Sequence, residues 1–155
     1  AHYDHICAIK YLKDKYLIPF FLHSADEKLL STANLYVKLF EGSDPIKIPT
    51  IDYYLDKIDI QNYISSFTIK VFFTPGHTWG GVCLLIEDCL FTGDTLLNGK
   101  IGRTDLPGGD KLALKESLII ISKLPNQTNI YPGHGISSTI GYELQYNKSF
   151  AQALQ

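Results

Sequence analysis

The sequence predicts a layered α/β domain, and two observations carry that reading. Short apolar runs with strand-like alternation interleave with runs of helical period. The residues able to do chemistry gather in the Gly- and Pro-containing stretches that close those runs, where α/β folds place reactive groups. The chain has 155 residues, 45% hydrophobic and 19% charged, as expected of one globular domain over residues 1–155 with a real core. Fourteen basic against 16 acidic residues leave a formal charge of −2, which excludes a strongly basic surface for nucleic acid or a membrane. Apolar runs fall short of the roughly 18 residues of a membrane span. The start Ala1-His2-Tyr3-Asp4-His5 is neither basic nor apolar, so a cytoplasmic protein is expected. Cys7, Cys83 and Cys89 are odd in number and lack metal-site spacing, which predicts buried free thiols.

The elements follow in order. Ser24 with Glu27 three residues on forms a capping box, and Leu29, Ala33, Val37 and Phe40 recur at helical spacing up to Glu41-Gly42, predicting a helix over 25–40. Phe67, Ile69, Val71 and Phe73 alternate with Thr68 and Lys70 as a strand. Val82–Ile86 turns at Glu87-Asp88 into Cys89-Leu90-Phe91, a hairpin. Asp110 caps a helix carrying Leu112, Leu118, Ile119 and Ile121; Asn129–Tyr131 is a short strand and 139–147 is helical.

Four stretches hold the chemistry: His2-Tyr3-Asp4-His5, Thr74-Pro75-Gly76-His77, Phe91-Thr92-Gly93-Asp94-Thr95 and Tyr131-Pro132-Gly133-His134-Gly135. Each is expected at a strand end. Imidazole and carboxylate suit a borderline or hard divalent cation, and zinc takes them at about 2.0–2.2 Å. A two-metal site needs about seven ligands with cations about 3.5–4 Å apart; the chain offers His2, Asp4, His5, His77, Asp94 and His134. Taken singly, each stretch also fits a plainer role, since Pro-Gly-His is first a turn and Gly-Asp after a strand is often a cap.

Taken in order, the series His-x-Asp-His, Thr-Pro-Gly-His-Thr-x-Gly-Gly, Phe-Thr-Gly-Asp-Thr and Tyr-Pro-Gly-His-Gly resembles the metallo-β-lactamase fold superfamily. Gly102-Arg103-Thr104-Asp105 and the ending from Tyr131 to Phe150 are similar to the glyoxalase II-like hydrolases. The resemblance implies an αββα sandwich whose first strands this chain lacks. It also implies two divalent metal ions, zinc first and iron or manganese as alternatives, with His2 and His77 on one, Asp4, His5 and His134 on the other, and Asp94 bridging them. The family motif begins one histidine before Ala1, so the chain is expected to be a fragment of a longer protein.

Two cations lower the pKa of a shared water to about 7 and polarise a carbonyl. Asp4 is expected both to ligate and to orient that water. A thiolate leaving group, with a conjugate acid near pKa 8.5, needs no strong general acid, so a small-molecule thioester of the hydroxyacylglutathione type is the expected substrate, with no nucleic acid or membrane partner. Arg103 either contacts that substrate or pairs with Asp105. His23 is expected to be structural, Trp79 a wall residue, and Cys7 a buried thiol beside the site. The rival readings are a persulfide dioxygenase with one iron and a non-catalytic truncated protein. Retention of His134, which would complete a second metal position, favours hydrolysis.

Overall fold

A computed structural model describes residues 1–155, which form two compact units, Ala1–Asp59 and Ile60–Gln155. Helices and a mixed sheet alternate as the sequence predicts, and no helix is long and apolar enough to cross a membrane.

In the first unit, helices α1 (Tyr3–Ile6) and α2 (Ile9–Tyr16) precede a two-residue strand β1 (Phe21–Leu22). Strand β1 pairs in parallel with β2 (Tyr53–Tyr54). Between them a 3₁₀ turn at Ser24–Asp26 leads into α3 (Glu27–Ser31), α4 (Ala33–Tyr36) and a π-helical turn at Val37–Glu41. The helix expected over 25–40 is therefore segmented. At the break, the Thr32 hydroxyl donates back to the Lys28 carbonyl at 2.9 Å, a bond that competes with the helical ladder. Leu29, Ala33 and Val37 are buried as their period requires, whereas Phe40 is exposed. The capping box does not form. Ser24 gives its N–H and its hydroxyl to Asp56 at 2.8 and 2.6 Å, and His23 Nδ1 takes the Ala25 N–H in its place. Ile6, Leu22, Leu30 and Ala33 make the core of this unit.

The second unit is built on a five-stranded sheet of order β3-β4-β5-β8-β9. Strands β3 (Ile69–Phe73), β4 (Val82–Ile86) and β5 (Cys89–Gly93) run antiparallel, with Phe72 opposite Cys83 and Leu85 opposite Leu90. The expected hairpin is present, turning on Glu87 at φ 54. A small ribbon of β6 (Leu96–Leu97) and β7 (Lys100–Ile101), not foreseen from the sequence, follows β5. Helix α5 (Lys111–Ile121) crosses over to β8 (Asn129–Pro132), which lies parallel to β5; β9 (Ser138–Thr139) then runs antiparallel to β8.

Asp110 caps α5 as predicted, its carboxylate accepting from Leu112 and Ala113 at 2.9 and 3.0 Å. The inward stripe, however, is Leu114, Ser117, Leu118 and Ile121, and Leu112 faces out at 74% exposure. Positions 114, 118 and 121 recur at i, i+4 and i+7, so they share one helical face that Leu112 does not. They pack on Cys83, Leu90, Leu96 and Ile130 from the sheet and ribbon, with Ile140 and Phe150 from the last helices α6 (Ile140–Tyr146) and α7 (Lys148–Ala153).

Glu143 and Asn147, both fully buried, close this core with polar bonds. Glu143 accepts from Gly99 N–H at 2.9 Å and from Asn147 Nδ2 at 2.7 Å; Asn147 also donates to Lys100 O at 2.9 Å and accepts from Phe150 N–H at 3.0 Å. One amide thus caps α7, holds the ribbon and satisfies a buried carboxyl. Leaving such groups without partners costs about 1–3 kcal/mol each, so Asn147→Ala is expected to lower the unfolding free energy by about 2–4 kcal/mol. Urea titration checks this, and a change within about 0.5 kcal/mol, as at an ordinary surface site, would contradict it.

Candidate metal centre

Three of the expected ligands leave the second unit's sheet from neighbouring strand ends. The turn after β3 brings His77, and it is clamped onto α5. Ser117 Oγ donates to Pro75 O at 2.7 Å and Asp110 N–H to Gly76 O at 2.8 Å. Gly76 is required here twice over, because its φ is +130° and a Cβ would lie 2.3 Å from the Leu114 backbone nitrogen.

Asp94 follows β5 where the β5–β8 register shifts between Phe91 and Gly93. Such an irregularity re-aims the residue beyond it. His134 follows β8, and Gly133 N–H donates to Gly93 O at 2.7 Å, tying the loop of His134 to the loop of Asp94. Beneath these loops lie hydroxyls. Thr92 Oγ1 donates to Leu96 O at 2.7 Å, Thr74 and Thr95 hydroxyls meet at 3.4 Å, and Thr74 donates to Cys83 Sγ at 3.3 Å. Burial pushes the Cys83 thiol up to about 11, so it stays neutral and structural.

The three side chains meet on one atom. His77 Nε2 and His134 Nε2 each lie 3.5 Å from Asp94 Oδ2. His77 and Asp94 are largely sunk, at 11% and 13% side-chain exposure, and His134 stands at the mouth at 55%. His77 Nδ1 is 2.8 Å from the Arg103 carbonyl oxygen. A carbonyl only accepts, so Nδ1 carries the proton and, in the neutral ring, Nε2 presents its lone pair to the carboxylate. Two electron pairs facing each other call for a positive charge between them. A divalent cation fits: two ligands at about 2.05 Å in a tetrahedral shell stand about 3.3 Å apart. The carbonyl behind a ligating histidine is also the usual outer partner at metal sites.

Gly102 makes this possible. Its N–H donates to Thr95 O at 3.2 Å, and a Cβ would lie 2.1 Å from the Asp94 carbonyl oxygen and 3.1 Å from His77 Cβ. Next to it, Arg103 grips Asp105 through two bonds of 2.7 Å. The pair with Asp105, one of the two roles expected of Arg103, is present.

In the first unit, His2, Asp4 and His5 share one turn. Asp4 and His5 belong to α1, and His2 immediately precedes it, its carbonyl accepting from His5 N–H at 3.1 Å. An acidic residue in the first turn favours a helix start. The Tyr3 hydroxyl anchors the turn by donating to Glu41 at 2.7 Å, and that bond raises its phenol to about 12. His5 Nε2 lies 3.6 Å from Asp4 Oδ2, again a spacing of two ligands. Cys7 corrects the expectation of a buried thiol. It ends α1 exposed, with its Sγ–H directed at Asp4 O at 3.6 Å. Cys89 is half-buried, and Cys83 alone of the three is buried; none is in a disulfide. Trp79 is 44% exposed and lies over Gly108, and His23 serves the cap already described.

A mixed sheet with imidazoles and a carboxylate converging at its strand ends defines a metal-binding α/β protein of one particular family. The profile of the Metallo-beta-lactamase superfamily matches residues 1–134, and the chain belongs to that superfamily. A Bacillus subtilis protein named "Probable metallo-hydrolase YqgX" is 32% identical over 150 residues, covering 95% of this chain and 71% of that protein. Among solved structures, the BLEG-1 B3 metallo-beta-lactamase superposes with a TM-score of 0.85 at 36% identity, over 96% of this chain and 72% of that one. TTHA1623, crystallised in a di-iron-bound form, gives 0.82 at 33% identity, over 96% and 73%.

The contribution of Gly102 can be measured directly. Gly102→Ala must displace Asp94 or His77, and is expected to weaken metal binding at least about tenfold, the scale of an outer-shell disturbance, with the helical content unchanged. Chelator competition reads the affinity, and wild-type affinity would contradict the packing account.

Proposed function

We propose that this chain is the metal-binding part of a hydrolase that cleaves a small-molecule thioester of the hydroxyacylglutathione type with two divalent cations. The observation that carries the reading is the pair of imidazole Nε2 atoms, each 3.5 Å from one Asp94 oxygen. Support also comes from the relative named as a metallo-hydrolase and from the neighbour crystallised with two irons. In this reading His2 and His77 would hold the first cation, Asp4, His5 and His134 the second, and Asp94 would serve both, an assignment that rests on the order of motifs.

When bound, the cations supply an ionised water near neutral pH and stabilise negative charge on the carbonyl oxygen. The side chains do the rest. Asp94, sunk and held by the bulge at the end of β5, neutralises charge where the imidazoles converge. His77 is locked as the Nδ1–H tautomer, so its ligand atom cannot rotate away without breaking the bond to Arg103. His134 stands at the open side, more exposed than His77 or Asp94. In this reading Asp4 would orient the attacking water, and a thiolate would depart without a proton donor.

Stripping the protein of metal should abolish hydrolysis of S-lactoylglutathione, and restoring about two equivalents should return it. Oxygen consumption on glutathione persulfide with no thioester turnover would overturn the reading in favour of an iron dioxygenase.

Asp94→Ala is expected to lose both cations, because repulsion between two divalent ions about 3.5 Å apart is severe even at an effective dielectric near 20. His134→Ala should keep about one equivalent and lose most turnover. Metal analysis separates them; full content in Asp94→Ala or none in His134→Ala would refute the bridge.

A further inference from the structure

We infer that the Arg103–Asp105 ion pair is a positioning device for the metal-ligating ring of His77, and not a grip on substrate. The inference rests on the metallo-hydrolase reading and deepens it by assigning a role to both residues.

Arg103 acts through two ends at once. Its guanidinium meets both Asp105 oxygens in a fork, Nε to Oδ1 and Nη2 to Oδ2, each at 2.7 Å. Its backbone carbonyl accepts the His77 Nδ1–H at 2.8 Å. Residues 102–104 belong to no helix or strand, so no ladder sets the direction of that carbonyl. The flanks are pinned, Gly102 N–H on Thr95 O at 3.2 Å before it, and Gly109 N–H on Leu106 O and Asp110 N–H on Gly76 O, both at 2.8 Å, after it. Between those anchors the fork spans the Arg103–Thr104 and Thr104–Asp105 peptides and restrains their rotation. The Asp110 anchor ends on Gly76, the neighbour of His77, so loop and ligand turn are braced against each other.

The pair is well formed for this task. Two parallel charge-assisted bonds fix orientation as well as distance. The guanidinium holds the Asp105 carboxyl down to about 2, so the pair is intact throughout the neutral range. Asp105 holds the Nε–Nη2 edge of the guanidinium, so a substrate carboxylate could reach only the remaining Nη1 side without breaking the pair. Both partners are more than half exposed, and an exposed pair adds little to global stability. Its loss should therefore be felt at the ligand while the fold survives.

Cobalt-substituted protein tests the inference, because the visible absorption of Co²⁺ reports ligand geometry independently of turnover. Arg103→Ala and Asp105→Ala are each expected to weaken Co²⁺ binding about 10- to 100-fold, the range for outer-shell partners of ligands. Both should shift the visible band and lower kcat with KM changed less than about threefold, at an unchanged unfolding midpoint. The exchanged pair, Arg103→Asp with Asp105→Arg, keeps the bridge and the carbonyl, and should recover Co²⁺ affinity to within about fivefold of wild type. A substrate grip gives the opposite pattern. Arg103→Ala would then raise KM with wild-type Co²⁺ affinity and spectrum, Asp105→Ala would leave the metal untouched, and the exchange would rescue nothing; any of these overturns the inference. If wild-type protein binds Co²⁺ and hydrolyses thioester while the variants bind it equally well, only the positioning role falls. If wild-type protein binds no metal, the metallo-hydrolase reading falls with it.

Discussion

The hydrogen bond from the His77 ring to the Arg103 carbonyl decides what the rest of the second unit's site can be. A ring that must give its Nδ1 proton to a carbonyl has its basic nitrogen on the other side, and that side faces the Asp94 carboxylate at 3.5 Å. Everything around it protects this opposition of lone pairs. Gly102 lets the Asp94 backbone and the His77 side chain approach. The turn before His77 is clamped onto α5, and the loop of His134 is tied to that of Asp94 through Gly133 and Gly93. The hydroxyls of Thr74, Thr92 and Thr95 satisfy polar atoms below the site without adding charge. Two imidazoles facing one carboxylate oxygen suit a cation in the space between them.

The sheet supplies the rigidity. Strands β3, β5 and β8 end near one another because β4 pairs β3 with β5, and β8 lies parallel to β5 after the α5 crossover. Loops leaving such strand ends are where α/β proteins concentrate function. The core that holds the strands together is conventional, with Leu90, Leu114, Leu118 and Ile130 fully or almost fully buried. Its less ordinary part is the buried Glu143–Asn147 pair, which fixes the β6–β7 ribbon. That ribbon ends at Ile101, immediately before Gly102, so packing far from the ligands feeds into where the Arg103 carbonyl points.

The sequence shows the candidate ligands because they are residue types in a recognisable order. His77, Asp94 and His134 are visible in it, as are the hairpin, the Asp110 cap and the superfamily. It hides what depends on backbone. No residue type marks the carbonyl of Arg103 as the partner of His77, and the need for a bare Cα at Gly102 appears only when Asp94 O is found 2.1 Å from where a Cβ would be. Local patterns also lost to longer-range partners. Ser24 left its capping box because the Asp56 carboxylate takes both its N–H and its hydroxyl, whereas Glu27 would accept only the N–H. No residue pattern shows that the stretch with His2, Asp4 and His5 is a helical turn anchored by Tyr3 on Glu41, thirty-eight positions away.

In the proposed site a cation stands between the His77 and Asp94 side chains with the ring held from behind. Histidine side-chain nitrogen NMR on the zinc-loaded protein addresses it most directly, since Nδ1, Nε2, protonated and metal-bound states have distinct ¹⁵N signatures. His77 is expected to be neutral, to carry its proton on Nδ1 with and without zinc, and to show a metal-shifted Nε2 that reverts on chelation. A His77 ring protonated on Nε2, or one whose signals ignore the metal, would contradict it.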